Sequence, residues 1–310
     1  MQGRMGRLLC ALALGIGFFA PPARAQQTRG ATAAGRIDWA AVDRAMGRTG
    51  TSAPGGVHRF GMPRSDLVVT SDGVRVRPAL ALGSWLAFKA TSGGRAVAMG
   101  DLVLTEAELN PVLSRLQEGG VGQTAIHKHL LRESPAIWWT HVHAEGEPVR
   151  IASAVRAALA LTGTPGQTAP TLMGEAFPLD TAAIRRTLGH AGRVSGGVYQ
   201  VSVPRMETIR SHGVTVPPSM GTATAINFQP TGEGRAVIGG DFVMTAGEIN
   251  RVIKALRANG IQVVSLHNHM TDETPRLFFM HFWANDDAVK LAGGLRAALD
   301  QTNVHRGDAR

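Results

Sequence analysis

The chain has 310 residues, of which 44% are hydrophobic, and carries a formal net charge of +9. Its one cysteine, Cys10, lies in the segment that we expect to be cleaved off. Disulfides and thiolate metal sites are therefore excluded from the mature protein, and only His, Asp, Glu or water could hold a metal. The Lys and Arg residues are dispersed, without a dense basic run, which argues against a nucleic-acid-binding protein.

Residues 1–25 are predicted to be a secretory signal peptide. Arg4 and Arg7 precede an apolar run over residues 8–20, and Ala23 and Ala25 supply the small residues of a cleavage site. The apolar run is too short for a typical membrane-spanning helix. We therefore expect a periplasmic or secreted protein that has no transmembrane anchor after cleavage.

The rest of the sequence is duplicated, with an offset of 140 residues between matching positions over much of its length. This period indicates a duplicated domain, because the repeats of solenoids are far shorter. We predict repeat domain 1, a linker rich in Thr, Gly and Pro, repeat domain 2 and a polar tail, at residues 36–162, 163–178, 179–301 and 302–310 respectively.

Each repeat is predicted to open with a short helix, which Asp38 caps over residues 39–46 and Asp180 caps over residues 181–188. Alternating apolar residues then predict several strands.

Two polar positions recur among these strands. The first long strand of each repeat ends in a Pro-Arg pair, and we interpret its arginine, Arg64 or Arg205, as the partner in an exposed salt bridge. A Gly-Asp pair comes later, and we interpret Asp101 and Asp241 as turn-forming residues before the next helix.

An amphipathic helix follows in each repeat. Thr105 with Glu108, and Thr245 with Glu248, have the spacing of a capping box. Two more strands and a closing helix complete the repeat. The order of helix, several strands, helix, two strands and helix predicts an α+β fold, in which each repeat is a mostly antiparallel sheet packed with helices.

The segment after the amphipathic helix is the most informative about function. It contains a His-x-His pair, a glutamate three residues beyond the second histidine, and a further histidine on the next strand. The residues are His127, His129, Glu133 and His141 in the first repeat and His267, His269, Glu273 and His281 in the second. Imidazole and carboxylate groups are ligands of zinc and also of iron, manganese, nickel and copper. The pattern predicts a divalent metal cofactor, with zinc as the first expectation.

Convergence of these ligands depends on strand register. Residues i and i+2 of a strand point to the same face, so the two histidines of each His-x-His pair lie side by side. If the turn centres near residue 134, His141 falls opposite His127, and the equivalent register places His281 opposite His267. A slip of one residue would turn the third histidine to the other face.

Three alternatives remain open from the sequence. Strand histidines are often structural groups bonded to backbone, and duplication copies structural residues too. The duplicated set could form two separate sites or one site shared between the repeats. If one repeat alone is active, the second is favoured, because Asn268 and Asp272 stand where the first repeat has the cations Lys128 and Arg132.

The chain resembles a known family at four motifs, which are Gly196-Gly197-Val198-Tyr199, Pro204-Arg205, Gly240-Asp241-Phe242-Val243 and the segment from His267-Asn268-His269 to His281. It is the bacterial domain-of-unknown-function family that includes the mycobacterial lipoproteins LppY and LpqO. The resemblance covers nearly the whole mature chain, including the duplication. It implies an exported protein and no established activity, so it assigns no site residue. Unlike the named lipoproteins, this chain has no convincing lipobox at Cys10.

We therefore predict an exported metal-binding protein, with a metal-dependent enzyme left open. The alternative is a non-catalytic envelope module that binds a glycan or protein partner. The modest basic charge is compatible with an anionic envelope polymer or a small-molecule ligand as partner. No particular reaction is indicated, since the sequence contains no Gly-x-Ser-x-Gly, phosphate-loop or dinucleotide motif.

Overall fold

The computed structural model describes residues 36–167 and 177–307. The predicted signal peptide, residues 168–176 of the predicted linker and residues 308–310 of the tail lie outside these ranges. The described residues form seven α-helices, which are α1 (Trp39–Met46), α2 (Pro78–Ala81), α3 (Glu106–Glu118), α4 (Pro148–Leu159), α5 (Thr181–Leu188), α6 (Ile249–Ala258) and α7 (Ala288–Leu299). Short 3-10 helices lie at Ser92–Gly94 and Pro218–Met220.

The strands form two antiparallel six-stranded sheets with the same strand order. In spatial order, the first sheet contains β1 (Thr51–Ala53), β2 (Val57–Pro63), β5 (Gly83–Ala90), β6 (Ala96–Thr105), β9 (Ile137–Gly146) and β7 (Gly122–His127). The second contains β10 (Gly192–Ser195), β11 (Val198–Pro204), β14 (Ala223–Gly232), β15 (Arg235–Met244), β17 (Phe278–Asp287) and β16 (Gln262–His267). Two small sheets are made by β3 (Thr70–Ser71), β4 (Val74–Arg75) and β8 (Glu133–Ser134), and by β12 (Arg210–Ser211) and β13 (Val214–Thr215). The predicted α+β fold of two repeats, each an antiparallel sheet packed with helices, is confirmed.

Helix starts follow the predicted caps in most cases. The side chains of Asp38 and Asp180 accept hydrogen bonds from the first turns of α1 and α5. The capping box of Thr105 and Glu108 is complete at α3. In the second repeat the Glu248 carboxylate accepts from the Thr245 backbone N–H at 2.6 Å, but α6 begins only at Ile249. The second capping box is thus half formed.

Each sheet has a helix-covered face and a face that packs against the other repeat. Along β6, Ala98, Leu102 and Leu104 belong to the core under α1, α3 and α4. The alternate residues Val97, Met99 and Val103 belong to cores that contain side chains of both repeats. The result is a four-layer arrangement of helices, sheet, sheet and helices, whose middle is the space between the two sheets.

Segments of the two repeats interlock across this middle layer. The Gln229 side chain donates to Arg75 O at 2.7 Å and accepts from Arg77 N at 2.8 Å. On the opposite side, the Arg59 guanidinium donates to Ser219 O at 2.9 Å. These contacts fix the position of one sheet relative to the other. In the described residues, no helix is long and apolar enough to cross a membrane.

The arginines of the Pro-Arg pairs are buried, so the predicted exposed salt bridges are wrong. The Arg64 and Arg205 side chains are 1% exposed. Arg64 pairs with Asp66 and Glu108, and Arg205 pairs with Glu207 and Glu248. Each guanidinium thereby connects the end of a strand to the start of α3 or α6.

Candidate metal centre

The six predicted histidines meet in the middle layer of the molecule. His127 and His267 end β7 and β16, and His129 and His269 follow two residues later. The remaining two, His141 and His281, lie within β9 and β17. All six come from the sheet faces that point toward the other repeat. The structure therefore forms one shared cluster and not two separate sites.

The register differs from the prediction by two residues. Trp139 lies opposite His127, and His141 lies opposite Ala125; in the second repeat His281 lies opposite Ser265. A shift of two residues keeps every side chain on its face, whereas a shift of one would reverse it. The third histidine of each repeat therefore reaches the same side of the sheet as the His-x-His pair.

Equivalent ring distances show that the cluster has approximate twofold symmetry. The His127 and His267 rings stack on each other with centroids 3.8 Å apart. The distance between His129 and His281 is 3.7 Å, and between His269 and His141 it is 3.8 Å. The second histidine of each His-x-His pair therefore stacks on the third histidine of the other repeat, whereas His127 and His267 are slightly closer to the third histidine of their own repeat, at 4.9 and 4.8 Å. These stacks divide the six histidines into two sets, namely His127, His129 and His281, and His267, His269 and His141. The ligand atoms of His127, His141 and His267 also converge, which joins the two sets.

A buried aspartate accompanies each set. Asp101 lies on β6 opposite His141, and Asp241 lies on β15 opposite His281. Their carboxylates approach His129 Nε2 at 3.3 Å and His269 Nε2 at 2.9 Å. The interpretation of these residues as turn formers is wrong, because both lie within regular strands. They are the acidic residues that sequence reasoning missed.

The ring nitrogens show which tautomer three of the histidines adopt. The Nδ1 atoms of His141, His281 and His269 lie 3.2, 2.8 and 3.1 Å from the carbonyl oxygens of Gly100, Gly240 and Gly221. A carbonyl only accepts, so Nδ1 must carry the hydrogen and Nε2 must carry a lone pair.

These three Nε2 atoms are buried and have no hydrogen-bond partner among the described residues. The approach of Asp241 to His269 does not have the geometry of a hydrogen bond. Histidines that ligate metals are usually oriented in this way, with the other ring nitrogen donating to backbone or carboxylate.

Burial controls the electrostatics of the cluster. It lowers the pKa of His269 to about 3, and it lowers the pKa of the other five histidines, so the imidazoles are neutral. Burial also raises the pKa of Asp241 to about 6. The pKa of Asp101 is raised well above its usual range, first by burial and then by the charge of Asp241. Two acidic side chains whose charged forms are disfavoured are therefore buried among neutral rings, and neither forms an ion pair with Lys or Arg among the described residues.

The predicted glutamate ligands are engaged outside the cluster. Glu133 accepts from Lys128 Nζ at 2.5 Å and from Ile137 N at 3.3 Å. Glu273 accepts from Leu277 N at 2.8 Å. Both carboxylates close the loop before β9 or β17, and neither belongs to a group of converging ligands. The acidic residues beside the imidazoles are Asp101 and Asp241 instead.

The geometry is close to that of a metal site. The candidate ligand atoms of His127, His129 and His281 lie within 4.8 Å of one another, as do those of Asp241, His267 and His269. Ligand atoms of one tetrahedral zinc lie about 3.3 Å apart, since each is about 2.0 Å from the ion. Small side-chain rotations would close either group on one ion.

The two repeats also match a known family model. The model, described as Domain of Unknown Function (DUF1259), matches residues 40–161 and again residues 182–301. These two ranges correspond to the two halves of the fold. No curated protein matches the sequence.

Three solved structures show weak similarity. The trimeric bacterial microcompartment shell protein PduB is 12% identical, with 83% of this chain and 95% of that chain covered and a TM-score of 0.22. The double-ringed trimeric shell protein MSM0271 from the RMM microcompartment is 12% identical, with 68% and 85% covered and a TM-score of 0.20. EtuB from Clostridium kluyveri is 10% identical, with 81% and 90% covered and a TM-score of 0.18. Similarity this weak supports no structural or functional conclusion.

Proposed function

This chain belongs to the family described as Domain of Unknown Function (DUF1259), and we propose that it binds divalent transition metal in a centre that both repeats build. Zinc is the first candidate, because neutral imidazoles with a carboxylate suit it and no thiolate is present. Each set contains three histidines and one aspartate. The centre accordingly takes two ions, one per set.

The observation that carries this proposal is the unsatisfied polar character of the cluster. Ring nitrogens of His127, His141, His267, His269 and His281 and one oxygen each of Asp101 and Asp241 are buried without a hydrogen-bond partner among the described residues. Leaving one buried polar group unpaired costs about 1–3 kcal/mol, and more if it is charged. A dication supplies the missing partner for nitrogen lone pairs and carboxylates together.

Burial favours storage, transport or structural use of the metal over catalysis. The side chains of His267, His269 and His281 are 5–7% exposed. Catalytic zinc sites keep a coordination position open to substrate or water. Two surface clefts of the described residues, one lined by Arg75 and Gln229 and one lined by Glu207 and His305, contain none of the six histidines.

The proposed location of this function is the periplasm or the exterior of the cell. Arg4 and Arg7, the apolar run over residues 8–20 and the small residues before position 26 support export. The resemblance to the mycobacterial lipoproteins LppY and LpqO supports it as well. An exported protein without thiols would hold metal through imidazole and carboxylate groups alone.

The proposal is tested with protein purified without an affinity tag, stripped with a chelator and titrated with Zn²⁺. Calorimetry should detect tight binding, and the melting temperature should rise with Zn²⁺ concentration, because a ligand of the native state stabilises it. The double variant His267→Ala/His269→Ala should lose about half of that rise, because it removes two ligands of one of the two ions. His305→Ala, at an exposed histidine outside the cluster, is the control. A rise in melting temperature that is equal in the double variant and the wild type would reject the proposal.

A further inference from the structure

A second group of candidate metal ligands lies at the outer end of the middle layer. His143 and Glu145 belong to β9 of the first repeat, and His212 lies in the turn between β12 and β13 of the second. Their candidate ligand atoms are all within 4.8 Å of one another. His212 Nδ1 is 2.5 Å from Glu145 Oε1, and the rings of His143 and His212 stack with centroids 4.3 Å apart.

The turn holds His212 in a fixed position. His212 has a φ of 47° and Gly213 a φ of 75°, the left-handed pair found in two-residue hairpin turns. Asp272 fixes the turn, because its carboxylate accepts from Ser211 Oγ at 2.6 Å and from the His212 backbone N–H at 2.8 Å. Asp272 Oδ1 also lies 3.1 Å from His212 Nε2. The imidazole is thereby oriented toward β9.

The group also contains an unpartnered buried atom. His143 Nε2 is buried and has no hydrogen-bond partner among the described residues. The other members are more open, with 41% of the Glu145 side chain and 31% of the His212 side chain exposed. An ion from solution can reach such a group directly, unlike the histidines of the interior centre.

The twofold-related position in the other repeat has no such group. Trp283 and Asn285 replace His143 and Glu145, and Asp72 replaces His212. Asp72 forms an ion pair with Arg132, in which Arg132 Nη2 is 2.7 Å from Asp72 Oδ2. Arg132 therefore supplies a cation at that end of the middle layer, whereas the end with His143 and His212 has two imidazoles and no Lys or Arg pair among the described residues.

A row of ligand residues connects the open group with the interior centre. His141, His143 and Glu145 alternate along β9, which pairs with β6 without a bulge over this stretch, so they share one face. Successive members are about 7 Å apart along the strand. His141 belongs to the interior centre, and Glu145 is at the surface.

We propose that His143, Glu145 and His212 form a surface site for a divalent transition metal, which loads the interior centre along β9. Loading rests on the proposed function of that centre, whereas binding at the surface site does not. Binding at the surface site and loading of the interior centre are therefore measured in different variants of the protein.

Binding is measured by titrating Zn²⁺ into full-length, tag-free protein in which the interior centre is disabled by replacing both His-x-His pairs with alanine, that is, His127→Ala/His129→Ala/His267→Ala/His269→Ala. One ion should still bind. Adding His212→Asn should abolish this binding, while Asp72→Asn should leave it intact. Asparagine tolerates the left-handed turn that both positions adopt, so the two variants are matched in backbone effect. Binding that survives His212→Asn would overturn the surface site even if the interior centre holds metal.

Loading is measured in protein with an intact interior centre, by following the time course of Zn²⁺ uptake after rapid mixing. His212→Asn should slow filling of the interior centre at least tenfold and remove one ion from the final stoichiometry, with the interior ions still bound. In Asp72→Asn, the interior centre should fill with Zn²⁺ at the wild-type rate. An unchanged filling rate in His212→Asn would reject loading, and an interior centre that never fills in the wild type would instead reject the proposed function.

Discussion

The molecule buries an arginine cluster in each repeat and one histidine centre that both repeats share, and these two kinds of cluster differ in how many of their polar atoms have hydrogen-bond partners. In the arginine cluster of the second repeat, Arg205 donates to Val243 O, to both oxygens of Glu248 and to both oxygens of Glu207, all within 3.1 Å. Arg64 makes the equivalent bonds to Val103 O, Glu108 and Asp66. Each guanidinium thus has its partners within its own repeat.

The histidine centre has the opposite character. Its imidazoles are neutral and its two aspartates are acidic groups whose charged forms burial disfavours, and it has no basic side chain to complement them among the described residues. A polar cluster that is complete within the protein is explained by folding. One that leaves several buried acceptors unpaired has to be explained by something that it binds. This difference predicts that a mutation in the arginine cluster destabilises the metal-free protein, whereas a mutation in the histidine centre mainly reduces stabilisation by metal.

The largest expected effect is that of Arg205→Ala in metal-free protein. Removing one partner of a buried ion pair costs about 3–5 kcal/mol, because the remaining carboxylate is buried without a counter-charge. Urea unfolding should show this loss. Arg115→Ala, which removes an exposed pair with Glu118, should cost less than about 1 kcal/mol. Equal losses in the two variants would mean that the arginine cluster is not the structural element we describe.

The histidine centre should respond to metal and not to truncation. His267→Ala in metal-free protein should be nearly neutral, because the ring nitrogens it removes have no partner. At free Zn²⁺ one hundred times the dissociation constant, the wild type should gain about 2.7 kcal/mol for each ion that it binds, and the variant should gain less because one set has lost a ligand. Urea unfolding with and without Zn²⁺ separates the effect of the mutation on the metal-free protein from its effect on stabilisation by the metal. A large loss in the metal-free variant would show that the ring is a structural group.

Local patterns were sufficient to predict much of the fold. Asp38, Asp180 and Thr105 are at helix starts, as their spacing to the following residues predicts. The face of the third histidine was also predictable, because a two-residue error in register does not change it. The packing of one repeat on the other was not predictable, since apolar alternation identifies a buried face without identifying what covers it.

Errors in the predicted site have the same origin. Glu133 and Glu273 have the sequence spacing of ligands, but loop backbone donors and Lys128 take their carboxylates. Asp101 is distant in sequence from His129 and approaches it only through strand pairing across β6, β9 and β7. Alternate residues of a strand share one face. A predicted strand that continued past Gly100 would therefore have placed Asp101 on the same face as Val97 and Met99.

A moderate effect is expected for Asp241→Asn, which preserves shape and removes a buried charge. Burial raises the pKa of this carboxyl to about 6, so its charged form is unfavourable without a cation. Metal-free protein should therefore be as stable as the wild type or more so, while Zn²⁺ affinity should fall about 10–100-fold. Calorimetry measures the affinity, and Asp300→Asn, at a 60% exposed side chain, is the control. Unchanged affinity would remove Asp241 from the ligand set.

The smallest effect concerns the pH dependence of the arginine cluster. Burial raises the pKa of Glu248, but hydrogen bonds from Arg205 and from the Thr245 and Asn303 backbone, together with the charge of Arg205, outweigh burial and hold that pKa below its usual range. The unfolded state, with a carboxyl pKa of about 4.3, therefore takes up the proton first as pH falls. Stability from this group is fully present above that pH and is lost as pH falls through the lower folded-state value.

Glu248→Gln removes this titrating group. The wild type should be more stable than the variant at pH 6, and this difference in unfolding free energy should shrink by on the order of 1 kcal/mol as the pH falls to 3. The wild type and the variant are both measured without metal. The histidine centre titrates equally in the two proteins, so its contribution cancels in the difference. Glu118→Gln, at a 64% exposed carboxylate, should show a much smaller change. A difference that grows as pH falls would give Glu248 a raised pKa. A raised pKa would mean that Arg205 does not stabilise the charged form of Glu248 in the folded protein, and the arginine cluster would then be as incomplete as the histidine centre.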